Sequence, residues 1–205
     1  MPDILRIPHN IAKPFIEKWH YSSRCPTGKN IFFGWYIDGA EYGLETDLFG
    51  KTLYAIADYG IGVNPYQSQS LTRMTGIEID TQKLLELKRL CRVEPKVDKL
   101  PLTMFIAKCH RILDKEGYCY VVAFSDPAYG HSGGIYKAAN FKYLGKTNPE
   151  THAIEADGTL RHRRLYFRYA RRNNVSVAQA RQELGLSLKK TMPKDRWFIQ
   201  IHKKP

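Results

Sequence analysis

The chain is short of cysteines, of long apolar runs and, near its end, of acidic residues. Its four cysteines, Cys25, Cys91, Cys109 and Cys119, are scattered, with no Cys-x-x-Cys pair and no zinc-type spacing. That argues against a disulfide scaffold or a zinc module and predicts small core or surface thiols in a reducing compartment. No apolar run approaches the roughly 20 residues that a bilayer span requires. The opening MPDILRIPHNIAKPFIEKWH is broken by prolines and charges and does not read as a signal peptide. A soluble protein without a membrane partner is therefore expected. There is no internal repeat and no low-complexity tract, and 205 residues are enough for one domain with a substantial core.

Acidic residues are missing in one place above all. Residues 161–205 hold 13 Lys/Arg against 2 Asp/Glu, a net +11, whereas residues 1–160 hold 19 against 18. Nearly all of the net +12 thus sits in the last 45 residues. Solubility alone does not demand such concentration. A basic surface facing a polyanion does, and phosphate contacts there would make binding strongly salt-dependent. Arg161, Arg163, Arg164, Arg168, Arg171, Arg172, Lys189 and Lys190 are the candidate phosphate contacts, which position a duplex without reading its sequence.

Patterning predicts the following elements. Residues 9–19 form a short helix interrupted at Pro14, and NIFFGWYIDGAEYG forms two β segments around an Asp38-Gly39 hairpin turn. KTLYAIADYGIGV is a strand, residues 64–76 a loop, and EIDTQKLLELKRLCRVEP a helical stretch passing into a strand near LKRLCRV. The clearest helix is LPLTMFIAKCHRILDKEG, with Leu102, Phe105, Ile106, Cys109, Ile112 and Leu113 at 3–4 spacing and Gly117 as its stop. YCYVVAFSD is a buried strand, GGIYKAANF a short helix, KYLGKT and RRLYFRYA strands, VSVAQARQELGL a helix and RWFIQIHKK a terminal strand. Helices alternating with strands, and antiparallel pairing at both ends, point to one mixed α/β (α+β) sheet flanked by helices. The expected organisation is a catalytic part over 1–170 and a basic C-terminal extension over 171–205 within the same domain.

The stretch AFSDPAYGHSGGIYKAANF, residues 123–141, admits two readings. Its first half is similar to the Asp-Pro-Pro-Tyr turn of adenine amino-methyltransferases, placed after a buried strand where open α/β sheets bind substrate. A methyl donor needs a glycine-rich loop, however, and the only candidate, YGIGV (59–63), leads into NPYQ rather than a helix. The second half, GGIYKAANFKYLGKT, resembles the closing motif of the GNAT N-acetyltransferase superfamily. There a helix carries a Tyr near the reacting centre, and Tyr136 matches it. That superfamily also places a glycine-rich pyrophosphate loop before the preceding helix. Here the connection EPKVDKLP has no glycine, so acetyl-CoA as donor is doubtful and the group donor is unknown.

WHYSSRCP (19–26), LKRLCRVEP (87–95), the 123–145 stretch and the basic Tyr/Arg-rich segment after it resemble phage Mom proteins. These are GNAT-like enzymes that convert DNA adenine to an N6-carbamoylmethyl form and shield phage DNA from host restriction. The resemblance implies a transferase acting on double-stranded DNA in the host cell cytoplasm. It also implies an iron, for which His20, Asp126 and either His131 or Tyr136 would supply ligands of the non-haem type.

Several residues carry two readings each. Asp126 is either a turn cap or a general base on adenine's amine, whose delocalised lone pair requires proton removal during attack. Tyr136 is either a packed helix residue or, as the resemblance implies, the donor of a proton to the leaving group. His20 and Tyr21 are loop residues that the resemblance places in the active site. Arg89 either binds an anionic donor or forms a structural ion pair. Thr103 stands at the start of the helix beside the expected donor site, and His131 lies in a glycine-rich turn. Because adenine's amine is unreachable in a duplex, base flipping is implied, with Tyr129, Tyr66 and Trp19 as candidate stacking partners. The alternative function is an acyltransferase on a protein or small-molecule amine. Oligomeric state is not legible in the sequence.

Overall fold

The computed structural model describes residues 3–94, 100–149, 151–161 and 164–202. Within them, β1 (Asp3–Ile7), β2 (Asn30–Asp38), β3 (Lys51–Gly60), β4 (Leu84–Arg92), β5 (Tyr120–Ser125) and β6 (Lys142–Lys146) belong to a large sheet. A small sheet holds β7 (Thr151–Ile154), β8 (Leu160–Arg161) and β9 (Ser187–Lys190), in the order β8-β7-β9. The last strand, β10 (Asp195–Gln200), returns to the large sheet, whose order is β1-β2-β3-β4-β5-β10-β6. Every pairing in it is antiparallel except β4 with β5. A parallel pair needs a crossover, which is supplied by the helix α3 described below.

The helices divide between the two faces of the sheet as strand alternation dictates. On one face lie α3 (Leu102–Lys115) and α4 (Gly134–Ala138). Phe105, Ile106, Cys109 and Leu113 of α3 are buried against Trp35, Tyr54 and Tyr59, and Trp35 stacks on Phe105 at 5.5 Å between centroids. On the other face α1 (His9–Trp19) buries Ala12 and Ile16 over Phe32, Ile56 and Cys91. Beside it α2 (Gln67–Thr75) packs Leu71 over Leu84, Val122 and Phe198. β3 lies between both layers and is buried without a break from Tyr54 to Gly60, which accounts for its near-continuous apolar run. The small sheet is covered by α5 (Arg164–Asn173) and α6 (Val177–Glu183), which share a core of Ala153, Tyr166, Ala170 and Ala180. α6 starts on a capping box, Ser176 with Gln179.

The mixed α/β class and the strand–helix–strand centre agree with the sequence reading, and five local expectations do not. α1 runs unbroken through Pro14, which sits on its exposed side. Asp38-Gly39 is no two-residue hairpin turn, since Gly39 has φ −70 and the chain makes a short 3-10 turn at Ala40–Tyr42 before returning at Lys51. Residues 67–75 are helical rather than loop, anchored by the buried Leu71 and ended by Gly76 at φ +72. Before β4 there is only a 3-10 turn, Thr81–Lys83. RRLYFRYA is the helix α5 and not a strand, because Tyr166 and Ala170, four residues apart, are the positions that bury against the small sheet.

One contact joins three distant segments. The Trp197 indole N–H of β10 donates to Ser125 Oγ at the end of β5, at 2.9 Å and buried. Gly133, the residue before α4, has φ +75 and presses on that same indole, so that a Cβ there would collide with the ring. A side chain at Gly133 meets both a backbone penalty and a clash. Gly133→Ala is expected to lower stability by about 2 kcal/mol and the melting temperature by roughly 4–8 °C. Thermal denaturation followed by circular dichroism checks this, and an unchanged midpoint would show that the contact is not constraining.

Candidate active site

β4 and β5 pair only from Leu84↔Tyr120 to Leu87↔Ala123, although β4 continues to Arg92 and β5 to Ser125. Beyond that register the strands part, and two cavities open at the gap. The first, of about 660 Å³, is lined by His20, Arg92, Thr103 at the start of α3, His131 and Tyr136 among others. The second, of about 550 Å³, lies toward α2 and the small sheet and is lined by Gln67, Glu86, Arg89, His152, Lys194 and Arg196 among others. Both volumes are of the size that holds small ligands. Tyr21, Lys88, Phe124 and Asp126 line both cavities and so form the partition between them.

Asp126 follows β5 directly, caps the turn after it and lines both cavities. Its Oδ1 accepts the Ala128 N–H at 3.1 Å and so caps the 3-10 turn Pro127–Tyr129. Its Oδ2 lies 3.7 Å from the Lys194 ammonium. A turn cap that also faces two cavities is an oriented carboxylate. Tyr136 is buried on α4, against Phe141 and Trp197. Burial raises its hydroxyl above the ordinary range, with Tyr21 and Glu86 adding to the effect. The phenol is therefore a neutral donor at physiological pH.

His20 is buried, and burial lowers its imidazole to about 4, helped by Arg89 and His131. Its Nδ1 accepts the Ser22 backbone N–H at 3.1 Å, which puts the proton of the neutral ring on Nε2. The Tyr21 ring packs in tilted contacts at 4.2 Å from His20, 4.5 Å from Tyr129 and 4.7 Å from His131 between centroids, a ring cluster at the cavity wall. Burial, and then Asp126, raise the Tyr21 hydroxyl. Arg89 lines the second cavity and forms no ion pair among the described residues. Its Nε donates to Arg24 O at 3.1 Å and its Nη1 to Lys88 O at 2.6 Å, which ties the His20–Tyr21 loop to β4. Of the stacking candidates, Tyr129 is in this cluster, Trp19 lines the first cavity, and Tyr66 stands on the loop before α2.

The iron set of His20, Asp126 and His131 is not assembled. Among the described residues no group of three or more His, Cys, Asp or Glu converges as a metal site.

Several polar residues of the site carry no motif. Lys88 reaches Asn30 Oδ1 at 2.9 Å, and Gln67 Nε2 reaches Glu86 Oε2 at 3.4 Å. The glycines of YGIGV make room for them: a Cβ at Gly60 would collide with Asn30 and Lys88, and one at Gly62 with Gln67. Burial raises the Glu86 carboxyl. Asp58 is fully buried on β3 opposite Arg89, and neither of its oxygens has a hydrogen-bond partner among the described residues. Its signal in the sequence is a single carboxylate inside the apolar run KTLYAIADYG.

The basic residues are displayed on α5 and on β9 of the small sheet. On α5, Arg164, Arg168, Arg171 and Arg172 are exposed at i, i+4, i+7 and i+8, opposite the buried Tyr166 and Ala170. The register Thr151↔Lys190 and His152↔Lys189 sets the two exposed lysines next to Thr151 and His152, which line that cavity. Arg161 lies in β8; its side chain and Arg163 fall outside the described residues.

The sequence pattern of the Mom protein family matches residues 3–204. Methylcarbamoylase mom of Escherichia phage Mu is 23% identical over 154 residues, 74% of this chain and 56% of that protein. The chain thus spans little more than half the length of that relative. Among solved structures, spermidine N-acetyltransferase from Vibrio cholerae aligns with a TM-score of 0.50 at 9% identity, over 98% of this chain and 94% of that one. Ribosomal-protein-S18-alanine N-acetyltransferase from Escherichia coli aligns with a TM-score of 0.49 at 8% identity, over 100% and 97%. The Vibrio enzyme bears on fold alone, and it is the N-acetyltransferase-like fold that the 133–147 segment resembles.

Asp58 generates a pH prediction. Burial raises its carboxyl to about 7 against the lowering effects of Lys88 and Arg89, while the unfolded chain ionises near 3.9. Between these values the folded protein holds a proton that the unfolded chain has lost, so this group costs stability as pH rises from about 4 to 7. Asp58→Asn stays neutral. Its stability relative to wild type is expected to climb by about 3 kcal/mol across that window. Urea denaturation at pH 4.5 and 7.5 measures it, and a constant difference would show that Asp58 is ionised in the fold.

Proposed function

The chain belongs to the Mom protein family, and on that premise we propose that it is a transferase that modifies the N6 amine of adenine in double-stranded DNA. The product proposed is the N6-carbamoylmethyl form, made in the host cytoplasm, where it protects phage DNA from restriction. The observation that carries this reading is the shared partition. One oriented carboxylate, Asp126, is reached from two cavities, and the second of them adjoins the exposed Lys189 and Lys190.

In this reading the donor occupies the first cavity, beside Thr103 and Tyr136, and the flipped base occupies the second. The N6 nitrogen attacks the donor carbon across the partition. Asp126 accepts the amine proton as the N–C bond forms, since the delocalised amine is nucleophilic only as it loses that proton. Tyr136, neutral because it is buried, hydrogen-bonds or protonates the departing group. Tyr21 and Tyr129 offer ring faces to the flipped base. Arg164, Arg168, Arg171, Arg172, Lys189 and Lys190 contact phosphates and hold the duplex over the second cavity.

Nucleoside mass spectrometry of plasmid DNA from cells expressing the protein tests the activity. A modified deoxyadenosine is expected. Asp126→Ala and Tyr136→Phe should reduce it by a factor of about 10² or more while DNA retention persists. Only unmodified deoxyadenosine, with the wild-type protein soluble, would sink the reading.

The phosphate contacts have their own test. Each of Arg168→Ala, Arg171→Ala and Arg172→Ala should lower the slope of log affinity against log salt by about 0.9. Slopes equal to wild type would remove α5 from the DNA interface.

A further inference from the structure

The loop between β3 and α2 exposes three large apolar side chains within six residues. Ile61 is 64%, Val63 84% and Tyr66 67% exposed. Leu48 and Phe49 are also exposed, but they precede β3 and so stand about ten residues, roughly 33 Å, from this loop along that strand. What distinguishes the 61–66 loop is its position. Val63 and Asn64 line the second cavity, whose wall includes Asp126.

The loop is also held in shape. Asn64 Oδ1 accepts the Tyr66 N–H at 3.0 Å, and Asn64 O accepts the Gln67 N–H at 3.1 Å. Gly62 sits directly against the Gln67 side chain, which in turn reaches Glu86 in the cavity. The loop is therefore a braced, exposed apolar segment at the wall of the cavity. Lys194 and Arg196 line the same cavity, with Lys189 and Lys190 beside it. A duplex held there by its phosphates presents its base stack to the loop.

We propose that the Ile61–Tyr66 loop is a wedge that enters the DNA base stack beside the target adenine and occupies the space that the flipped base leaves. Flipping loses stacking and pairing, and apolar side chains inserted at a base step replace part of the lost stack. The occupant of this exposed surface is thus the interior of a base-paired duplex. The inference rests on the reading of adenine in duplex DNA as substrate.

The test uses the full-length chain, with Ile61→Ser/Val63→Ser and, separately, Tyr66→Ala. The first probe is a duplex carrying 2-aminopurine in place of adenine. Its fluorescence is expected to rise on wild-type binding and to rise at least fivefold less with the double variant at equal occupancy. The second measurement is nucleoside mass spectrometry of oligonucleotides incubated with a lysate of the expression host as donor source. Loss of at least tenfold on paired duplex, with less than twofold loss on single strands and on adenine opposite an abasic site, supports the wedge. Equal loss on all three substrates, or none on paired duplex, overturns it. A wild-type oligomer that the substitutions dissociate, with modification unchanged, also overturns it by making the loop a protein contact. Absence of any adenine product from the wild-type chain on every substrate overturns instead the reading on which the wedge rests.

Discussion

The parting of β4 from β5 is the constraint on which the rest of the molecule depends. Four residues of parallel register hold the two strands together, and past Leu87 and Ala123 each continues with a different neighbour. β4 stays bonded to β3 as far as Arg92, while β5 is bonded by β10 through Ser125. Backbone groups that would otherwise be stranded in the gap face cavities instead of apolar packing, so the gap can remain open without a buried polar penalty. Asp126 is where it is because β5 ends there, and the glycine-rich turn that follows folds back over Trp197.

Around that gap the polar residues are supported by small ones. Gly60 and Gly62 leave room for Lys88, Asn30, Gln67 and Glu86, and the Arg89 guanidinium is given to two backbone carbonyls that fix the His20–Tyr21 loop. Arg89 thus braces that loop while lining the second cavity. The raised carboxyls of Asp58 and Glu86 and the lowered imidazole of His20 share one main cause, burial of ionisable groups. Such clustering of shifted groups at a cavity is typical of functional sites, although structural networks produce it as well.

The small sheet gives the charge asymmetry its geometry. Its helices α5 and α6 bury only a modest core, yet they turn four arginines outward along one stripe of α5. β10 then carries the chain back into the large sheet between β5 and β6. The basic segment is thus bracketed by strands of the main body and adjoins the second cavity through Thr151 and His152.

The sequence by itself determined the parts whose cause is local. The 3–4 spacing of LPLTMFIAKCHRIL, the dense run YCYVVAFS and the short helix of GGIYKAANF are legible because each element's own side chains specify it. The concentration of charge after residue 160 is legible for the same reason, since it requires no pairing partner. The tertiary structure alone decided what depends on distant neighbours. Residues 67–75 have little apolar pattern and become a helix through Leu71 docking on Leu84 and Val122. Residues 164–173 alternate like a strand but are helical because Tyr166 and Ala170 meet the small sheet. The joining of His20 and Tyr21 with Asp126 and Tyr136, more than a hundred residues further along the chain, required the assembly of the whole large sheet. Those contacts are set by burial of the whole sheet, which no short window of sequence contains.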